Sequence, residues 1–127
     1  MASGRMLARM SEPLSVFFNP DCSKSRALRR LFHERGIVAE YIHYLEHPPT
    51  RPDLERLLRR LGTDDPRMLI RTGEPLYTTL GLADASSERV LDVLQQHPSL
   101  LERPIVVRGE RAIVARPPER ALELFVE

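Results

Sequence analysis

Short apolar runs and helical stripes alternate along the chain, separated by proline and glycine breaks. Leu14 to Phe18 is a short apolar run and reads as a buried strand. Asn19 and Pro20 are turn residues. A helical pattern over Ser23 to Arg35 then places Ala27, Leu28, Leu31 and Phe32 on one face, and Gly36 is a natural stop. Ala39 to Leu45 reads as a second strand. Its alternation is imperfect, which predicts burial on both faces. His47-Pro48-Pro49 breaks the chain.

Thr50 opens a helix, with Pro52 in its first turn and Asp53 at the capping-box position. Leu54, Leu57, Leu58 and Leu61 form its apolar stripe, and Gly62 ends it. A short helix is predicted over Pro66 to Arg71, followed by a break at Gly73-Glu74-Pro75. Ser87 to Gln96 is a further helix with Val90, Leu91 and Leu94 inward. Ile105 to Val107 reads as a buried strand, Arg108-Gly109-Glu110 as a hairpin turn and Ala112 to Ala115 as the returning strand. Pro117 and Pro118 start a final helix with Ala121, Leu122 and Phe125 as its core side. The order is β-α-β, several helices, then β-β-α. With a cysteine just after the first strand, it suggests an α/β thioredoxin-like architecture: a mixed four-stranded sheet with an inserted helical region.

At 127 residues, one domain over 14–127 is expected. Met1 to Pro13 is short and basic, lacks the apolar core of a secretory signal, and reads as a disordered tail. The net charge of +1 gives no strong pull toward nucleic acid or membranes. No segment has the apolar length of a membrane span. Nineteen residues are basic, and Lys24 is the only lysine among them. Arginine is the better clamp for an oxyanion. The single cysteine excludes an internal disulfide and a cysteine-rich metal site. A reducing cytoplasm fits that usage.

That cysteine, Cys22, stands where the first strand hands over to the first helix. Unpaired N–H groups and the positive end of the helix dipole meet there. A thiol in that place loses its proton easily and becomes a nucleophile. The alternative is a small buried apolar residue. The turn-forming and polar neighbours Pro20, Asp21, Ser23, Lys24 and Ser25 argue for reactivity, and the charges of Lys24 and Arg26 favour a thiolate. Ser25 occupies the second position of a Cys-x-x-Cys motif. Any redox cycle must therefore borrow its second thiol from another molecule. The cysteine-phosphatase loop does not fit, because Leu28 stands where its arginine belongs.

Three arginines sit at chain breaks, where sites are often built. Arg71 ends a short helix. Arg103 precedes Pro104 and a buried strand. Arg116 follows the last strand. Converging guanidinium groups hold a tetrahedral oxyanion through paired N–H bonds; scattered, they are ordinary solvated side chains. Arg103-Pro104 has a second meaning, since thioredoxin-like folds commonly carry a cis-proline before the third strand, facing the reactive cysteine. His33, His43, His47 and His97 read as structural or solvent-exposed, with no metal site. No glycine-rich phosphate loop is present. Arg56, Arg59 and Arg60 read as a solvated helix face, and no nucleic-acid role is indicated.

The runs Asn19-Pro20-Asp21-Cys22-Ser23-Lys24-Ser25-Arg26, His43-Tyr44-Leu45-Glu46-His47-Pro48-Pro49-Thr50-Arg51, Glu102-Arg103-Pro104-Ile105-Val106-Val107 and Ala115-Arg116-Pro117-Pro118-Glu119 occur in this order. Together they resemble the glutaredoxin-dependent arsenate reductase family, from about Val16 to the C-terminus. The resemblance implies a nucleophilic Cys22 and an oxyanion triad of Arg71, Arg103 and Arg116. Asn19, Lys24, Ser25, Arg26 and Pro104 would support them. It implies reduction of arsenate with glutathione as co-substrate, glutaredoxin as partner and no bound cofactor. One position departs: family members often carry histidine where Phe18 stands. That shifts stabilisation of the thiolate to the helix terminus, Lys24, Arg26 and the bound anion.

Two other readings share the fold. A glutathione-dependent thiol reductase would turn over glutathione mixed disulfides and leave arsenate alone. A redox-sensing regulator would bind RNA polymerase without turnover, but such sensors typically use Cys-x-x-Cys, and Ser25 speaks against it.

Overall fold

In a computed structural model, which describes residues 13–126, four strands form one mixed sheet in the order β2-β1-β3-β4. The strands are β1 (Leu14–Phe18), β2 (Glu40–His43), β3 (Ile105–Arg108) and β4 (Arg111–Val114). β1 runs parallel to β2 and antiparallel to β3, and β3 is antiparallel to β4. This is the predicted thioredoxin-like β-α-β and β-β arrangement. The segment read as a tail lies, apart from Pro13, outside the described residues.

Strand alternation divides the core into two layers. Val16 and Phe18 of β1 and Val106 of β3 point to one face. There they meet Leu28 and Phe32 of α1 (Ser23–Glu34), together with Ala121 and Leu124 from the C-terminal segment. Ile105 and Val107 point to the other face, under the helical insert. That insert comprises α2 (Arg51–Leu61), α3 (Pro75–Thr79), α4 (Ser87–Gln96) and single 3₁₀ turns at Pro66–Leu69 and Pro98–Leu100. All four residues of β3 are buried, as expected for a strand covered on both sides.

The α2 start matches its sequence signature. Thr50 Oγ1 accepts from the Asp53 N–H at 3.3 Å, and Asp53 accepts from the Thr50 N–H at 2.9 Å. Gly62 closes the helix in the left-handed region at φ 77°, where a side chain would be strained. Arg51 then ties α2 to α4 through Glu88 and through Asp92 at 3.0 Å.

Several expectations need correction. β2 ends at His43 rather than Leu45, and it is half-buried rather than buried on both faces. Among the described residues it pairs only with β1 and lies at the edge of the sheet. Arg108 belongs to β3 rather than to the turn. Its guanidinium is buried, donates to the Leu124 carbonyl at 2.9 Å and lies 4.6 Å from the Phe125 ring centroid. The break at Gly73-Glu74-Pro75 begins α3, because proline at a first helical position starts a helix as readily as it ends one. The Pro66 segment is 3₁₀ and stops at Leu69, before Arg71. The C-terminal segment, Pro118–Phe125, is also 3₁₀. Its three-residue turn buries Ala121 and Leu124, leaving Leu122 half-buried and Phe125 37% exposed.

Candidate active site

The chain reverses between β1 and α1 through a loop held by its own backbone. Asn19 is the centre of that loop. Its carbonyl accepts from the Cys22 N–H at 3.0 Å, and its side-chain oxygen accepts from the Asp21 N–H at 3.0 Å. Its own N–H donates to Ser25 Oγ at 3.3 Å. Ser25 is fully buried, so the position where a resolving thiol would stand is spent on fixing the loop. Arg26 donates from Nη1 to the Pro20 carbonyl at 2.9 Å.

Cys22 is the N-cap of α1, in extended conformation, and its side chain closes no cap hydrogen bond. It is 8% exposed, more enclosed than its polar neighbours suggest. Burial pushes the thiol pKa up. The backbone N–H groups of Ser25 and Lys24 pull it down, and the Arg103 guanidinium adds a hydrogen bond and a positive charge. The net result lies below the ordinary thiol value. Lys24 thus acts through its backbone, and the Arg26 guanidinium serves the loop. The Phe18 ring is buried against Tyr41, with centroids 5.3 Å apart, and under the Arg29 guanidinium at 4.9 Å.

Backbone pairing brings Arg71 and Arg116 to one cleft, which neither Arg103 nor Cys22 lines; Arg103 is the arginine that acts on Cys22. Ile105 pairs with Val114, and the Ala115 N–H extends the ladder to the Pro104 carbonyl at 2.9 Å. That register sets Arg116 across from Arg103. Arg71 arrives from the insert: Ile70 forms an isolated antiparallel bridge with Leu101. The Arg71 N–H donates to Leu100 at 2.8 Å, and the Glu102 N–H donates to Leu69 at 2.7 Å. Arg71 and Arg116 consequently line one cleft of about 360 Å³, together with Glu74 and Glu102. Arg71 pairs with Glu74 at 2.6 Å, and Arg116 with Glu102 at 3.0 Å. Arg103 is different. Its Nε and Nη1 atoms are buried and have no hydrogen-bond partner among the described residues. Buried guanidinium donors without partners are costly in a folded chain, and they are suited to binding an anion. The Arg103–Pro104 bond is cis, and so is Arg116–Pro117.

Residues 17–124 match the ArsC family. The chain belongs to that family. Among curated relatives of this ArsC-family protein, the uncharacterized protein YfgD of Escherichia coli is 41% identical over 117 residues, covering 91% of this chain and 98% of that one. An arsenate reductase of Neisseria meningitidis is 42% identical, covering 84% and 92%. An arsenate reductase of Escherichia coli is 37% identical, covering 88% and 80%. The solved arsenate reductase from Vibrio cholerae superposes with a TM-score of 0.84 at 39% identity, covering 89% and 98%.

The site also holds residues that sequence reasoning left aside. Tyr44, read as part of a strand, is buried just beyond β2. Burial raises its hydroxyl pKa; Cys22 and Glu102 add to the rise, while Arg103 and Asn19 oppose it. Its hydroxyl therefore sits among the site groups. Glu102 accepts from Arg116 and also from the Arg103 N–H at 3.3 Å. A carboxylate beside a strand of arginines looks like ordinary counter-charge in sequence. Tyr44 carried a usable signal, an aromatic with a polar tip at a strand end. Among the described residues, no group of three His, Cys, Asp or Glu side chains is placed to hold a metal ion. No helix among them is long and apolar enough to cross a membrane.

Proposed function

We propose that this protein is a cytoplasmic arsenate reductase that uses Cys22 as nucleophile, glutathione as co-substrate and glutaredoxin to reset the thiol. One observation carries the reading: a guanidinium lies beside a pKa-lowered thiol and keeps two buried donors without a partner among the described residues. A nucleophile and an anion receptor are thereby adjacent. Similarity to arsenate reductases over most of the chain supports the choice of anion.

The chemistry follows from those groups. Arg103, Arg71 and Arg116 neutralise the bound arsenate, as fixed donors stabilise charge that shifts during reaction. Glu74 and Glu102 hold the last two in place before it arrives. The Cys22 thiolate adds to arsenic, an As–O bond breaks, and that oxygen leaves as water after taking up protons. Glutathione sulfur then attacks Cys22 Sγ. An S–S bond forms, the S–As bond breaks, and its electron pair stays on arsenic, which becomes trivalent. Glutaredoxin removes the glutathione by thiol–disulfide exchange and returns the Cys22 thiolate. With Ser25 in the resolving position, the second thiol has to come from outside.

Purified protein incubated with arsenate, glutathione and glutaredoxin should release arsenite. No arsenite above a Cys22→Ser control would defeat the proposal. Turnover of glutathione mixed disulfides without any arsenate reduction would instead favour the thiol reductase reading.

A further inference from the structure

The outer face of α1 carries a feature that arsenate chemistry leaves unused. Among the described residues, Arg26, Arg29, Arg30 and His33 line an open surface depression of about 420 Å³. Counted from Cys22 they fall at i+4, i+7, i+8 and i+11, so they continue the stripe that begins at the thiol. Unlike Arg51, Arg71 and Arg116, none of the three arginines pairs with a carboxylate among the described residues. Two are anchored by neutral groups instead. Arg26 is held by the Pro20 carbonyl, in the loop that carries Cys22, and Arg29 lies over the Phe18 ring. The α1 helix thus presents an unneutralised cationic ladder leading away from its own nucleophile.

We infer that this ladder binds the carboxylates of the thiol that becomes disulfide-linked to Cys22, and so selects an anionic tripeptide thiol. The inference rests on the glutathione reading above. The dimensions fit. A disulfide sets the two Cα atoms about 5.5 Å apart. On the glycine side one further residue adds about 3.5 Å, and on the other side the glutamate, joined through its γ-carboxyl, adds about twice that. Extended, the two carboxylates then fall roughly 9 Å and roughly 12 Å from the Cys22 Cα. With a rise of about 1.5 Å per residue, Arg26 starts roughly 6 Å along the helix, Arg29 roughly 10 Å and Arg30 roughly 12 Å. The ladder spans both positions. It also stands on α1, apart from the cleft on the loops flanking β3 and β4. Oxyanion and thiol therefore have separate binding elements.

Thiol–disulfide exchange tests this without arsenate. The Cys22 thiolate attacks one sulfur of a disulfide, the Cys22 S–S bond forms, and the other half leaves as thiolate. Adduct mass is followed over time at pH 7 with oxidised glutathione, neutral hydroxyethyl disulfide and cationic cystamine. Wild type should favour oxidised glutathione over cystamine, and rising salt should shrink the preference. Arg29→Gln/Arg30→Gln should cut that preference about tenfold, while the hydroxyethyl disulfide rate stays within about twofold. Arg30→Glu alone, which spares the Arg29–Phe18 contact, should cut it in the same direction. An unchanged preference in the folded variants, with all three disulfides still reacting, overturns the ladder and leaves the nucleophile assignment standing. If no disulfide reacts with Cys22, the nucleophile assignment fails and the ladder with it.

Discussion

Replacing Arg103 with alanine should separate function from stability in opposite directions. Nε and Nη1 of Arg103 are buried without a partner among the described residues. An unsatisfied buried donor costs about 1–3 kcal/mol, so removing the guanidinium relieves a penalty as well as losing packing. The melting temperature should hold steady or rise. Function should suffer. A hydrogen bond to a charged group contributes about 1.5–3 kcal/mol, and each 1.4 kcal/mol is tenfold in affinity. Arsenate KM should therefore rise about 10- to 100-fold. Arg103 also favours the Cys22 thiolate, so the variant thiol should titrate higher than in wild type. The assays are steady-state kinetics against arsenate, alkylation of Cys22 as a function of pH, and thermal unfolding. An unchanged KM together with an unchanged thiol titration would remove Arg103 from the site. A large fall in melting temperature would show instead that its donors are satisfied in the fold.

The lowered Cys22 pKa also links folding to pH. A depressed acid pKa contributes stability that is fully present above the unfolded value and is lost as pH falls through the folded value. Urea midpoints of wild type relative to Cys22→Ser should therefore climb from neutral pH toward the ordinary thiol range; a flat difference would refute the shift. Thr50→Ala breaks the capping box and should cost about 1 kcal/mol, lowering the melting temperature by about 4 °C, while Cys22 alkylation at pH 7 is unchanged. Leu57→Ala opens the core beneath the insert, where Leu57 is 1% exposed. It should cost about 2–5 kcal/mol by denaturant titration.

Local chemistry was legible in the sequence, and non-local pairing was not. β1 and β3 show in their apolar runs because both lie inside the sheet. In sequence, β2 reads two residues too far at its C-terminal end because Tyr44 continues an apparent alternation after the backbone has turned. α3 hid behind Pro75, whose ring reads equally as stop or start. In the C-terminal segment, a helical pattern with α period suggested Leu122 and Phe125, and the 3₁₀ period buried Leu124 instead. At the site, Cys22 stood out because turn residues and a helix start leave N–H groups at its sulfur. Arg103 and Arg116 stood out because they flank strands. The bridge that sets Arg71 beside Glu102 joins segments some thirty residues apart, and neither segment alone shows it. Glu74, Glu102 and Tyr44 gain meaning only from the groups folded against them.

The same pairings make the arginine set depend on two different parts of the fold. Arg103 and Arg116 are fixed by the β3–β4 register, and β3 is buried on both faces. A one-residue slip there would turn Val106 toward the insert and Ile105 toward α1, so the hydrophobic pattern itself holds the two arginines opposite each other. Arg71 hangs on a single bridge from an insert whose core is built around α2 and α4. The position of Arg71 thus depends on the insert's packing, which Ile105 and Val107 of β3 share. On the proposed mechanism, Arg103 and Arg116 would therefore keep their places as long as the β3–β4 register holds, and Arg71 would keep its place only as long as the insert stays packed.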